Sequence, residues 1–246
     1  MTDMASGPRP TRRERQRQAT MQEIVEAAND QLRSAGPQGL TLSAVARELG
    51  MTAPALYRYV DGVDGLITLL IADGYTSLAE QMEAAAQVHD AGDPGGRFLR
   101  VAEAAREWAR NDPARWGLLF GSPLPGYAAP PDGPTTALAQ RAAGVFWQLI
   151  AEADAAGLLG PPLVADVDPA ALPLLQENTP VTASGPLSHA TESATWSAIS
   201  LLLGAIAVEV FKHMPQCDEP TALAVFRSKV LVALRIVGLP DPRVAP

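Results

Sequence analysis

Side chains that could bind a polyanion are concentrated near the start of the chain. Five arginines fall within the first 17 residues: Arg9, Arg12, Arg13, Arg15 and Arg17. A second group combines hydroxyl groups with one guanidinium group and consists of Thr41, Thr52, Tyr57, Arg58 and Tyr59. Hydroxyl and guanidinium groups donate hydrogen bonds to phosphate oxygens, and arginine can also donate to O6 and N7 of guanine. The chemistry that these residues could do is therefore the binding of nucleic acid.

The second group lies on a stretch that predicts two short helices joined by a tight turn. Thr41 can cap a helix whose apolar residues share one face: Leu42, Val45, Ala46 and Leu49. Gly50 ends this helix because glycine reaches positive φ at little cost, and Thr52 is predicted to cap the next helix. A small residue at Ala46 and a packing anchor at Leu56 would let the two helices cross at a steep angle. An ordinary helical hairpin is the alternative interpretation.

The segments on either side favour a DNA-binding domain over a simple hairpin. A helix is predicted over residues 13–35, because apolar residues recur on one face: Met21, Ile24, Val25, Ala28 and Leu32. After a turn at residues 61–65, a long helix is predicted over residues 66–88. The arginines ahead of the first helix could form an arm that follows phosphates or enters a minor groove, and a disordered solubilising tail is the alternative.

Taken together, residues 12–75 resemble the DNA-binding domain of the TetR family of one-component bacterial repressors. The residues that carry the resemblance most strongly are Gly39, Thr41, Ala46, Gly50, Leu56, Tyr57, Tyr59 and Leu66. The resemblance implies a homodimeric transcriptional regulator that reads a palindromic operator in double-stranded DNA. It also implies that a small-molecule effector, whose identity the sequence does not give, releases the protein from that operator.

The resemblance also assigns roles to individual side chains. It implies phosphate contacts from Thr41, Tyr57 and Tyr59, with Arg12 and Arg13 adding further phosphate contacts. The residues implied to face base edges are Thr52, Ala53, Pro54 and Arg58. Ala53 and Pro54 offer only apolar contacts, for example with a thymine methyl group. At Val63 the family usually has a basic residue, so one phosphate contact could be missing here and the Arg-rich arm could replace it.

The distribution of charge agrees with a DNA-facing end. Residues 1–60 contain eight arginines and six acidic residues, a net charge of +2, whereas the rest of the chain contains eleven basic and twenty-one acidic residues, a net charge of −10. The chain as a whole therefore carries −8, which argues against general affinity for nucleic acid. Only the first part is suited to a polyanion.

The amino-acid composition predicts an all-α protein. Hydrophobic residues make up 47% of the chain and aromatic residues only 5%, and alanine and leucine favour helix over strand. We predict an N-terminal three-helix DNA-binding domain with a helix-turn-helix, followed by a C-terminal helical ligand-binding and dimerisation domain. The predicted boundaries are a flexible Arg-containing arm at residues 1–12, the DNA-binding domain at residues 13–65 and the second domain at residues 66–240.

The second domain offers candidates for an effector pocket and for a dimer interface. Large aromatic residues that could line an apolar cavity are Trp108, Trp116, Phe120, Phe146 and Trp147, with plain core packing as the alternative. The last two predicted helices, over residues 189–213 and 219–238, are more apolar than one buried stripe requires. Residues predicted to face a second copy are Trp196, Leu203, Gly204, Ala207, Phe226, Val230 and Leu234, and the core of a monomer is the alternative. The segment ARWGLLFGSPLPGY, followed by Trp196 and Gly204, resembles a subgroup of the family with a Trp- and Gly-containing dimerisation helix.

Other classes of function find little support in the sequence. The chain has no phosphate-binding glycine loop, no H-E-x-x-H and no G-x-S-x-G, which argues against an all-helical enzyme, and a protein–protein adaptor is the remaining rival. Glu209 and His213 are four residues apart, but a favourable contact at a helix end explains them better than a metal. We expect no metal, no cofactor, no membrane partner and a cytoplasmic location, because the N-terminus lacks the apolar segment of a secretory signal.

Overall fold

The computed structural model describes residues 11–88, 92–130 and 133–243, and every regular element within them is helical. The α-helices are α1 (Arg12–Ala35), α2 (Leu42–Glu48), α3 (Ala53–Leu56), α4 (Gly62–Ala86), α5 (Pro94–Asn111), α6 (Pro113–Phe120), α7 (Pro134–Ala155), α8 (Leu172–Asn178), α9 (His189–Val210) and α10 (Glu219–Val237). A short 3-10 helix, Pro37–Gly39, lies between α1 and α2. The prediction of an all-α protein is confirmed.

These helices form two compact units. The first comprises the described residues up to Leu70 together with Pro123–Ala128, and the second comprises Ile71–Ser122 and the described residues from Ala129 onward. The proline-rich segment after α6 contributes to the first unit, where the hydroxyl oxygens of Tyr127 and Thr68 are 3.0 Å apart and share a hydrogen bond. The sequence analysis assigned this proline-rich segment to the second domain. The contact between Tyr127 and Thr68 could not be predicted, because residues so far apart along the chain leave no local pattern.

Helix α1 starts earlier than the sequence predicted. The side chain of Thr11 accepts a hydrogen bond from the Glu14 amide, and the Glu14 carboxylate accepts one from the Thr11 amide, which is a complete capping box. The predicted arm, residues 1–12, is therefore wrong for Arg12, which lies inside α1 together with Arg13, Arg15 and Arg17. The remaining part of that prediction, including Arg9, falls outside the described residues.

The core of the first unit follows the predicted apolar pattern. Buried side chains come from each of its helices: Ile24, Val25, Ala28, Leu32, Leu42, Val45, Ala46, Leu56, Leu66 and Leu70. Gly50 has φ +63° at the end of α2, as predicted, since it is the residue that turns the chain. The expected turn at residues 61–65 is shorter than predicted, because Gly62 with φ +71° turns the chain in one residue and α4 begins there.

In the second unit, α5, α7, α9 and α10 pack around a common core. Its largest fully buried side chains include Phe98, Trp116, Trp147, Ile150 and Leu234. Among the described residues, α9 is the one helix that is long and apolar enough to cross a membrane. A core helix of a soluble protein passes the same test, and α9 packs against α5, α7 and α10 inside this unit.

A network of buried charge joins three of these helices. The guanidinium of Arg106 on α5 donates to both carboxylate oxygens of Glu209 on α9, over 2.7 and 2.6 Å, and to Glu219 on α10 over 3.0 Å. Arg110 donates to the same two carboxylates. Burial alone would lower the pKa of Arg106, but the hydrogen bonds and negative charge of Glu209 and Glu219 outweigh burial and raise it. Glu209 was expected to contact His213, but in the structure it pairs with Arg106 and Arg110.

Candidate DNA-binding surface and ligand cavity

The predicted base-reading residues surround a single turn of helix, α3. Leu56 in this turn is fully buried, while the neighbouring Tyr57 is 59% exposed. Thr52, Pro54 and Arg58 are exposed as well, and Ala53 is half-buried. Because Leu56 anchors α3 to the core of the first unit, its flanking side chains are presented to solvent. The structure therefore brings the predicted residues together on one accessible turn.

Thr52 differs in one respect from its predicted role. It occupies the N-cap position of α3, but its side chain makes no capping hydrogen bond there. Thr52 is thus the N-cap residue, as predicted, but not through its hydroxyl: the amide of Ala55, which a capping side chain would bind, donates to the Thr52 carbonyl over 2.9 Å. The Thr52 side chain is exposed to solvent instead of being bonded to its own helix.

The predicted phosphate-contacting residues lie at the ends of helices. Thr41 is exposed and caps α2, where its side-chain oxygen accepts from the Ala44 amide over 3.2 Å. Tyr59 is half-buried, and the Arg17 guanidinium carbon lies 5.5 Å from its ring centroid. The sequence analysis did not predict this contact, for which no local signal exists. Arg17 thus helps to hold Tyr59 in place.

Three further predicted positions lie in the first turns of helices. Arg12 and Arg13 are exposed in the first turn of α1, so a regular helix holds them. Val63, where the family usually has a basic residue, is 39% exposed near the start of α4. An exposed valine there supplies no hydrogen-bond donor to a phosphate.

The second unit contains a mainly apolar cavity of about 380 Å³. Three of the five predicted pocket residues line it: Trp116, Phe120 and Phe146. Several lining residues that come from other helices were missed from the sequence, notably Tyr75, Met82, Gln140, Ile199 and Leu202. No charged side chain is among the described residues that line the cavity. Such walls suit an uncharged, largely apolar ligand.

The other two predicted pocket residues lie elsewhere in the second unit. Trp108 donates its indole hydrogen to the Ser77 hydroxyl over 3.0 Å, and the Arg115 guanidinium carbon lies 5.3 Å from its ring. Trp147 is fully buried and meets Trp196 edge-on, with ring centroids 5.9 Å apart. Assigning Trp108 and Trp147 to the lining of the large cavity was therefore wrong: neither is among its lining residues, although Trp196, the partner of Trp147, is.

Tyr75 adds a hydroxyl group to the cavity wall. Its ring meets Phe120 edge-on, with centroids 5.8 Å apart. Burial raises the pKa of its hydroxyl above the ordinary value of 10.0, so the group stays protonated at neutral pH. A ligand in the cavity would therefore meet a neutral phenol that can donate or accept a hydrogen bond.

The predicted dimer residues separate into three groups. Phe226, Val230 and Leu234 are at most 2% exposed in the core of their own subunit, so the prediction that they face a second copy is wrong. Trp196 and Leu203 are half-buried and line the cavity, and their contact with a second copy stays a prediction. Gly204 is exposed and Ala207 half-buried, and a Cβ atom built on Gly204 meets nothing within 4 Å. Around them α9 and α10 expose other apolar side chains: Val208, Phe211, Val225 and Val232.

Comparison with known proteins gives a consistent picture. Residues 24–67 match the family described as bacterial regulatory proteins, tetR family, and residues 98–231 match the family described as tetracyclin repressor-like, C-terminal domain. The HTH-type transcriptional regulator Rv1816 of Mycobacterium tuberculosis is 37% identical over 213 residues, which cover 86% of this chain and 90% of that protein.

Solved structures agree with these matches. The regulatory protein SCO4313 is 33% identical, with a TM-score of 0.67, and the alignment covers 91% of this chain and 99% of that one. A regulatory protein in the tetR family from Rhodococcus RHA1 shares the fold at 19% identity, with a TM-score of 0.59 and coverage of 90% and 98%. The chain belongs to the TetR family of DNA-binding transcriptional regulators.

Proposed function

We propose that this protein is a cytoplasmic homodimeric repressor that binds a palindromic operator and leaves it when a small molecule occupies the cavity of the second unit. One observation carries the proposal. The exposed side chains of Thr52, Pro54, Tyr57 and Arg58 surround the buried anchor Leu56 on a single turn. Two such turns related by a two-fold axis would enter successive major grooves, ~34–36 Å apart.

Within this arrangement each side chain has a definite task. Thr41, Tyr57 and Tyr59 contact phosphates and fix the register of α3, while Arg58 donates to a guanine. Thr52 offers one hydroxyl to a base edge, and Ala53 and Pro54 offer apolar contacts. Because donors to base edges are few, the shape and deformability of the operator supply much of the specificity.

The exposed apolar surface on α9 and α10 is the proposed dimer face. Gly204 has open space above it, so a helix of a second copy can approach closely. Val208 and Phe211 extend this surface along α9, and Val225 and Val232 extend it along α10. Pairing two copies through these residues would bury side chains that a lone subunit leaves in water.

Operator binding and ligand release can be tested in one experiment. Fluorescence anisotropy would measure binding of the full-length protein to labelled DNA from upstream of its own coding region. The buffer would contain about 150 mM salt and an excess of unrelated DNA, so that specific binding exceeds non-specific binding. We expect saturable binding that unlabelled upstream DNA displaces and unrelated DNA does not. Uncharged apolar compounds that raise the melting temperature are then expected to lower operator affinity. Binding of equal strength to both DNAs, or none at low salt, would refute the proposal.

The arginines in the first turn of α1 give a prediction about salt. Replacing Arg12 and Arg13 with alanine should weaken binding to operator and unrelated DNA by similar factors, because phosphates are the same in both. The slope of log K against log salt concentration should fall in magnitude by about 0.9 for each phosphate that the variant no longer neutralises. Arg33→Ala is the control, since it removes a charge from the last turn of α1, where Arg33 pairs with Asp30. A slope equal to that of the unaltered protein would show that Arg12 and Arg13 do not touch DNA.

A further inference from the structure

The second unit holds a smaller pocket, of about 300 Å³, whose wall includes a buried carboxylate. Glu192 on α9 is only 9% exposed, and Trp147 beside the same pocket is fully buried. The Oε2 atom of Glu192 and the Nε1 atom of Trp147 are both buried and have no hydrogen-bond partner among the described residues. A buried polar atom without a partner is unfavourable, and a buried charge is more so. The Glu192 oxygen lacks a hydrogen-bond donor, which a ligand could supply, whereas the Trp147 N–H lacks an acceptor.

The other polar side chains around this pocket are already paired. The Thr182 hydroxyl donates to the carbonyl of Gly185 over 2.6 Å, and the Thr179 hydroxyl donates to the carbonyl of Leu175 over 2.7 Å. Neither hydroxyl hydrogen remains for Glu192. Among the side chains that line the pocket, Glu192 and Trp147 are therefore the ones with an unpaired polar atom.

The start of α9 does not provide the missing donor. Glu192 lies in the first turn of this helix, where the helix dipole favours a negative charge. The amide of Thr191, however, donates to the side chain of Ser188 over 3.2 Å, and the amide of Glu192 donates to the Ser188 carbonyl over 2.9 Å. The dipole eases the burial of the carboxylate, but these amides leave Oε2 without a hydrogen bond.

We propose that this pocket is a second ligand site, which takes a small organic cation such as an alkylammonium ion. An ammonium group would donate a charge-assisted hydrogen bond to Glu192 and neutralise its charge. Pro180 and Leu187 supply apolar wall for the alkyl part. The site differs from the large cavity, whose described lining residues carry no charge, and Pro180 is the described residue that lines both. This inference does not depend on operator binding.

Titration calorimetry of the full-length protein with n-butylammonium chloride tests the proposal, with n-butanol as the neutral match in size. We expect saturable binding of the cation and at least tenfold weaker binding of the alcohol. Glu192→Gln should weaken binding of the cation at least tenfold, because it keeps the shape of the side chain and removes its charge. Glu177→Gln is the control, since it removes an exposed carboxylate from α8 and should leave the affinity unchanged. Equal binding of alcohol and cation, equal binding by both variants, or no binding would overturn the proposal.

Two further measurements remain decisive even if calorimetric heats are small or the variant folds poorly. Without ligand, the melting temperature of Glu192→Gln should be no lower than that of the unaltered protein, since the variant removes an unpaired buried charge. A clearly lower melting temperature would mean that the carboxylate is paired in the folded protein, which would contradict the proposal. In NMR spectra of the unaltered protein, n-butylammonium should shift the indole N–H signal of Trp147 more than that of Trp108, which is bonded to Ser77. No shift at Trp147 would also overturn the assignment.

Discussion

Replacing Tyr57 with alanine is expected to lower operator affinity by at least about 100-fold without unfolding the protein. A hydrogen bond to a charged group contributes about 1.5–3 kcal/mol, and a dimer would lose two of them, about 3 kcal/mol or more. That loss corresponds to about 100-fold in affinity. The fold should survive, because the Tyr57 side chain is 59% exposed and surface substitutions usually change stability by no more than about 0.5 kcal/mol.

The measurement is fluorescence anisotropy with the operator fragment, accompanied by thermal melting of each variant. Tyr57→Phe is the matched control, since it keeps the ring and removes only the hydroxyl. If the hydroxyl binds phosphate, Tyr57→Phe should lose most of the operator affinity that Tyr57→Ala loses. If the ring packs against the sugar–phosphate backbone, Tyr57→Phe should bind the operator almost as tightly as the unaltered protein. An unchanged isotherm for Tyr57→Ala would rule out the proposed docking of α3.

The first unit could be predicted closely because its signals are local. Thr41 at the start of α2, Gly50 at its end and Leu56 as the anchor of α3 each act through neighbours a few residues away. The errors in this unit are also local. The box formed by Thr11 and Glu14 starts α1 at Arg12, and the sequence prediction did not recognise that pair as a helix start.

The second unit was harder to predict because its helices are apolar on more than one face. Phe226 and Gly204 were both predicted to face a partner subunit, yet Phe226 is buried in its own core and Gly204 is exposed. Trp116 and Trp108 were equally plausible cavity residues, and only the tertiary structure shows that the first lines the cavity while the second bonds to Ser77. Which face of an apolar helix meets solvent depends on contacts that a single sequence does not encode locally.

Ion pairs between residues far apart along the chain could not be predicted from local sequence either. One such pair is expected to contribute strongly to stability. Arg106 and Glu209 are 103 residues apart, so local spacing suggested His213 as the partner of Glu209 instead. In the structure Arg106 is 4% exposed and the Glu209 side chain 13% exposed. Removing one member of a buried ion pair leaves the other charge without compensation, which typically costs about 3–5 kcal/mol.

We therefore expect Arg106→Met to lower the free energy of unfolding by about 3 kcal/mol, at the lower end of that range because Arg110 still reaches Glu209 over 3.0 Å. Urea denaturation followed by circular dichroism, at one fixed protein concentration, would measure it. Arg141→Met is the control, since Arg141 makes a similar two-bond contact with Glu83 on an exposed surface and should cost less than about 1 kcal/mol. Adding Glu209→Gln to Arg106→Met should recover part of the loss, because position 209 then carries no unpaired charge. Equal losses for Arg106→Met and Arg141→Met would show that burial does not set the strength of this network.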